Sequence, residues 1–294
     1  MARVLVVGGA GLLGQYVLRE TRRRGHEVIG TCRGAAPATL AGPWVGIDLR
    51  DGAALRQAVR DAAPDLVVNA AALTDVDGCE ARPEEARAVN AVAPGILAEA
   101  AGDANADFVH ASTDYIFDGE GPATEDTEPR PLSAYGRTKR EGEVLVRKAY
   151  PASLILRLSA VFGWNRVSPK ANSVTWILQK VEAGQEVPLF TDQRVTPTYA
   201  GTAAGVALDL WAAKARGTFH VACRDCLSRV EMGHAVVEAF GIPGARLVPV
   251  AMASVALKAP RPRAPCLIVR RVEETLKRDM PGFRACLEDM RETR

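Results

Sequence analysis

No apolar run in this chain approaches the roughly 20 residues that span a bilayer. A signal-peptide layout is missing as well, because the short apolar stretch in MARVLVVGGAG leads straight into glycines. Both absences point to the cytoplasm. Neither sign of charge dominates: 37 Lys and Arg against 35 Asp and Glu leave a net charge of +2. Such a balance calls for neither nucleic acid nor an acidic membrane. The run Arg22, Arg23, Arg24 reads as the solvated end of a helix. Cysteine is scarce, with Cys32, Cys79, Cys223, Cys226, Cys266 and Cys286 expected as free thiols in a long cytosolic chain. Cys223 and Cys226 form a lone C-x-x-C. With no second pair and no histidines at ligand spacing, no metal site is expected. Internal repeats, low-complexity tracts and long linkers are also missing.

The 294 residues, 48% of them hydrophobic, suffice for a sizeable core in one large domain or one and a half. Short apolar runs alternate with longer segments of helical period. RVLVVGG, HEVIGTCR, WVGIDLRD, DLVVNAAA, ADFVHASTDYIF and ASLILRLSAVFG read as strands, with helical segments between most of them. The strands are nearly continuous apolar runs, as expected when both sheet faces are covered. This predicts an α/β fold, a doubly wound, Rossmann-like parallel sheet over 1–163. From 164 to 294 the rhythm changes. SVTWILQKVEAGQ, YAGTAAGVALDLWAAKA and VEMGHAVVEAFG read as helices, and VPLF and TFHVAC as short strands. This segment is expected to form a smaller substrate lobe at the carboxyl edge of the sheet, with elements free to interleave.

Gly8, Gly11 and Gly14 follow the first strand and open the first helix. Glycines let the backbone approach a pyrophosphate, and the helix amino terminus, at Leu12 and Leu13, supplies N–H groups and a positive dipole end. At the end of the second strand, where NAD-preferring folds place an acid on the ribose diol, this chain has Thr31, Cys32 and Arg33. A guanidinium suits a 2′-phosphate, so NADPH is the expected cofactor and NADH the less favoured one. Asp48 and Leu49 follow the third strand, where the acid is placed either to accept from the adenine amino group or to shape a turn.

The chain has only 5 tyrosines, and one of them, Tyr135, stands four residues before Lys139 in LSAYGRTKREGEVL. On a helix that spacing puts both on one face. A phenol is protonated at neutral pH, and a neighbouring ammonium is expected to lower its pKa. Such a pair can exchange a proton with a carbonyl oxygen while hydride moves at carbon. Ser112 and Thr113 lie at the carboxyl end of a strand, where ligands sit in this architecture.

On these residues the chain resembles an extended short-chain dehydrogenase/reductase and, within that group, the dTDP-4-dehydrorhamnose reductase family. GGAGLLG, VVNAAALTDVDGCE, AVNAVAPGILAEAA, ASTDYIFDGEGPATEDTEPRPLSAYGRTKREGE, LILRLSAVFG and DQRVTPTYA carry the resemblance. It implies Tyr135 as proton donor, Lys139 as its partner, which also grips the nicotinamide ribose, and Thr113 as third member, with Ser112 beside it. It implies nicotinamide contacts near Ala70, Ala71 and Ala72, a supporting asparagine at Asn90, and acids near the substrate mouth at Asp77 and Glu80. Substrate contacts are expected from Ser112, Asp114, Asn172 and Gln193, and diphosphate contacts from Arg194, Arg261 and Arg263. The family's R-T-S-W becomes Arg157-Leu158-Ser159-Ala160, and its D-Q-F-G-A-P-T becomes Asp192-Gln193-Arg194-Val195-Thr196-Pro197-Thr198. Tyr16 replaces an acid that in some members bridges a dimer through magnesium, so that bridge is not expected; a homodimer is compatible with the sequence. The implied function is NADPH-dependent reduction of a nucleotide-linked 4-keto-6-deoxysugar, with dTDP as the favoured nucleotide. Two alternatives stay open: a nucleotide-sugar epimerase or dehydratase, and a non-catalytic NADP-binding regulatory subunit like the methionine adenosyltransferase β subunit.

Overall fold

The computed structural model describes residues 1–294. Its first part alternates strand and helix: β1 (Arg3–Val7), α1 (Leu12–Arg23), β2 (Glu27–Cys32), β3 (Trp44–Gly46), α2 (Gly52–Ala62), β4 (Leu66–Asn69), α3 (Val76–Ala81), α4 (Pro83–Arg87), α5 (Ala93–Asp103), β5 (Asp107–Thr113), α6 (Ala134–Ala149) and β6 (Leu154–Leu158). A π-helical stretch, Ala88–Val92, joins α4 to α5. Then come α7 (Ser173–Glu182), β7 (Val187–Phe190), β8 (Arg194–Val195), α8 (Ala200–Ala212), β9 (Gly217–His220), β10 (Leu227–Ser228), α9 (Arg229–Ala239), β11 (Leu247–Val250), α10 (Arg270–Leu276) and α11 (Phe283–Glu292).

Seven strands form one parallel sheet in the order β3-β2-β1-β4-β5-β6-β9. The side-chain period of two divides it cleanly. Val4, Val6, Leu66, Val68, Val109, Leu154 and Leu156 join the core under α1 and α8. Leu5, Val7, Val67, Phe108 and Ile155 join the core under α2 and α5. Both faces are therefore dry, which explains the uninterrupted apolar strands. From β1 the chain winds outward to β3, then returns to β4 and winds the other way. That reversal opens a crevice beyond the carboxyl ends of β1 and β4.

The carboxyl segment is not self-contained. β9 pairs with β6 and completes the main sheet, and α8 packs against α1. The rest builds the smaller lobe: parallel β7 and β11, antiparallel β8 and β10, and helices α7, α9 and α11. One expectation about cysteine is corrected. Cys226 and Cys266 are joined in a disulfide, 40 residues apart in sequence. Folding brings their Cα atoms to 5.7 Å, within bridging range. Cys223, the other half of the C-x-x-C, lies instead 3.5 Å from Cys286.

Candidate active site

The turn after β1 is built for close approach. Gly8 has φ +78°, and a Cβ there would meet Ala71 at 2.8 Å; a Cβ on Gly14 would meet the Gly8 carbonyl oxygen at 2.1 Å. Only glycine lets the turn come this near the loop after β4, so Ala70 and Ala71 border it. Thr31 accepts the Gly8 N–H at 3.1 Å and fixes the turn to β2. Gly11 caps α1 without a side chain, and no acid occupies the first turn. The helix amino end at Leu12 and Leu13 therefore presents a positive dipole end with no carboxylate of its own against it, which fits a pyrophosphate. Arg33 is exposed and pairs with no carboxylate. Asp48 is engaged differently: its carboxylate is chelated by Arg50, which holds it well below the usual carboxylate range. Leu49 packs half-buried against the α2 core.

Asn90 lies in the π-helical stretch and is fully buried. Its Oδ1 accepts from Leu73 N–H at 2.8 Å, and its Nδ2 donates to Leu73 C=O at 3.1 Å and to Thr138 at 3.3 Å. It thus pins the backbone after Ala72 to α6. A Cβ on Gly142 would stand 2.3 Å from the Asn90 carbonyl, so glycine also sets this helix contact.

Ser133 caps α6 by accepting from Gly136 N–H, and Glu80 accepts from Ala134 N–H at 2.6 Å. Together they fix the first turn, which carries Tyr135. Its ring meets Tyr115 edge-on, with centroids 5.6 Å apart. Here the expectation of a lowered phenol pKa is reversed. Burial pushes the Tyr135 phenol well up; Thr113 acts against that shift and Asp114 adds to it. Lys139 does not offset the burial, because its Nζ turns inward to the Ala111 carbonyl at 2.7 Å. Burial in turn lowers Lys139 to about 8, opposed by Glu143.

The Thr113 hydroxyl donates to Asp114 Oδ1 at 3.1 Å and accepts from Tyr115 N–H at 3.2 Å. Ser159 donates to the other Asp114 oxygen at 2.5 Å. Burial raises the Asp114 carboxyl to about 6, while Ser159 and Thr113 pull it down. Ser112 does not join this group. Its hydroxyl is buried without a partner of good geometry, and the carboxylate that feels it is Glu143. Burial works to raise Glu143, but bidentate contact with Arg157 at 2.9 and 3.0 Å outweighs it and leaves the carboxyl below its ordinary value. Removing one partner of such a buried pair costs about 3–5 kcal/mol.

At the substrate end, geometry separates the expected residues. Asn172 caps α7, accepting from Val174 and Thr175 N–H while donating to Gly163 C=O at 2.7 Å. Arg194 donates to Cys226 C=O at 2.7 Å and pairs with Glu231 at 3.3 Å. Arg261 pairs with Asp77 at 3.0 Å, and Asp77 also accepts from Ala259 N–H, tying the Pro-rich strap to α3. Arg263 is exposed and holds Arg194 N–H through its own carbonyl. Gln193 is buried, donates to Pro262 C=O at 3.2 Å and accepts from Arg229 Nε at 2.9 Å. Tyr16 lies elsewhere: its hydroxyl accepts from Trp164 N–H and its ring meets Tyr199.

Arg229 was not anticipated. It opens α9, has no salt-bridge partner, and its charge is felt by Tyr115 and Asp114. Only Nε is well bonded; its other contact is a 3.8 Å approach of Nη1 to Met232 Sδ. No local pattern marks this residue, because its relation to Asp114 joins parts of the chain that are distant in sequence.

Among known proteins, the chain is 40% identical over 294 residues to a protein of Haloferax volcanii named "Probable low-salt glycan biosynthesis reductase Agl14", covering 97% of this chain and 98% of that one. It is 31% identical over 280 residues to the methionine adenosyltransferase 2 subunit beta of Xenopus tropicalis, covering 92% and 82%. A solved dTDP-4-dehydrorhamnose reductase of Clostridium acetobutylicum superposes with a TM-score of 0.88 at 29% identity, covering 99% of each chain. The family model described as the RmlD substrate binding domain matches residues 2–294, and the chain belongs to that family.

Proposed function

We propose that the chain reduces the 4-keto group of a nucleotide-linked 4-keto-6-deoxysugar, with dTDP as the favoured nucleotide and NADPH as the reductant. The observation that carries this reading is the nearness of the Tyr135 phenol to Thr113 at the carboxyl end of β5, with Lys139, on the same helix, held against Ala111 of that strand. When bound, the reduced nicotinamide supplies the hydride. Tyr135 supplies the proton to the carbonyl oxygen, and burial keeps that phenol protonated until a developing oxyanion draws the proton away. Thr113 helps orient the oxygen, while Asp114 and Tyr115 N–H fix the threonine rotamer. Gly8, Gly11 and Gly14 with the α1 amino end hold the pyrophosphate, and Arg33 the 2′-phosphate. Arg229, without a carboxylate of its own, and exposed Arg263 hold the sugar-nucleotide diphosphate in preference to the ion-paired Arg194 and Arg261. Identity to a reductase named for glycan biosynthesis supports the same class of substrate.

A regulatory reading rests on the likeness to the adenosyltransferase subunit. One assay separates the two: NADPH oxidation with dTDP-4-keto-6-deoxyglucose and its epimers. Turnover supports the reductase. NADPH binding without turnover of any keto sugar refutes it and leaves the regulatory role.

A further inference from the structure

His110 lies on β5 and is wholly buried. Its two ring nitrogens have different neighbours. Asn69 Nδ2 faces Nδ1 at 3.1 Å, and Lys139 Nζ faces Nε2 at 3.4 Å. The Asn69 amide cannot turn over freely, because its Oδ1 accepts the Ala71 N–H at 3.1 Å. Nδ2 only donates, so Nδ1 must be the acceptor. A neutral imidazole then carries its proton on Nε2, aimed at the lysine. An ammonium has no lone pair to receive it; an amine has one, and keeps N–H groups for the Ala111 carbonyl.

We propose that His110 is a positioning residue for Lys139: its Nε2–H donates to the lysine nitrogen, so that Lys139 rests as an amine more readily than a free lysine does and is not a fixed cation. Any bearing of this on turnover rests on the reductase reading. Burial acts in the same direction, lowering Lys139 to about 8. Glu143 on its own helix bears on this lysine, with Arg140 and Arg157 acting through Glu143; Asp114, Tyr115 and Cys79 bear instead on Tyr135, and Glu80 accepts from the Ala134 N–H. Glu143 opposes the shift. The chain Ala71–Asn69–His110–Lys139 also links this nitrogen to the loop that borders the glycine turn.

Nitrogen NMR of the full-length chain with labelled histidine reads the tautomer without any assay of activity. His110 is expected as Nε2–H, and an Nδ1–H signal overturns the proposal. Asn69→Asp replaces the donor with an acceptor of the same shape, so His110 should switch to Nδ1–H. The Lys139 titration, followed at its Cε and assigned with Lys139→Met, should then rise by about one pH unit. His110→Gln can still accept from Asn69 and donate to Lys139, and should leave that titration within a few tenths of a unit. An unmoved titration in folded Asn69→Asp overturns the proposal; if that variant does not fold, the wild-type tautomer decides. Nε2–H in a chain inactive on every keto sugar defeats the reductase reading and leaves the hydrogen-bond assignment standing.

Discussion

At the proposed nucleotide end, Arg33 stands exposed with no salt bridge, though Asp48 feels its charge, whereas at the proposed substrate end Arg194 and Arg261 are tied to Glu231 and Asp77. The first turn of α1 likewise offers backbone donors that no side chain caps. A ligand meeting Arg33 breaks no salt bridge. One meeting Arg261 must break an ion pair and loosen the strap from α3. Sequence shows where cations are; only packing shows which are free to meet an anion.

The comparison is anchored by the chemistry both ends serve. Tyr135→Phe keeps the ring against Tyr115 and removes the acid, so turnover should drop about 10²–10⁴-fold while NADPH affinity stays within experimental error. Single-turnover reduction and direct binding on folded protein measure both, and full activity in the variant would remove the centre of the scheme. Next in size is Arg229→Met, expected to raise KM for the nucleotide sugar roughly 10–100-fold, as for a lost charge-assisted contact. NADPH binding should not move, and an unchanged KM would show that this unpaired cation serves only Gln193. Arg33→Ala sharpens the other end. It should erase most of the preference for NADPH over NADH, about tenfold or more, and equal dissociation constants in the unmutated chain would sink the idea. The smallest effect is expected from Arg194→Ala. An exposed pair contributes about 0–1 kcal/mol, so substrate KM should change by less than about fivefold; a larger change would erase the distinction between paired and unpaired cations.

The sheet, the glycine turn and the Tyr135–Lys139 pair were legible because each is written in a few consecutive residues. A strand, a turn before a helix and one helical face are local facts. Thr113 and Asn90 stand in equally local motifs, and the family resemblance supplied the roles expected of them. What escaped depends on distant partners. Cys266 meets Cys226 across 40 residues, and Arg261 meets Asp77 only when the strap returns to α3. Asn172, expected at the substrate, also caps α7, a role that depends on where that helix begins. The direction of the Tyr135 shift also depended on burial and on where the lysine nitrogen points, neither of which spacing reveals.

The place of β9 bears on how the chain is made. β6 ends at Leu158, but its outer neighbour ends at His220, ~60 residues later. At about 5–20 residues per second of synthesis, β6 waits several seconds with one edge bare. Its residues are all buried in the finished sheet, so the nascent chain carries an apolar, unpaired strand edge until β9 emerges. A fragment ending near residue 163 would keep that edge permanently. The nucleotide-binding half is thus a unit of recognition without being a unit of folding, and its completion depends on the same segment that builds the other side of the cleft.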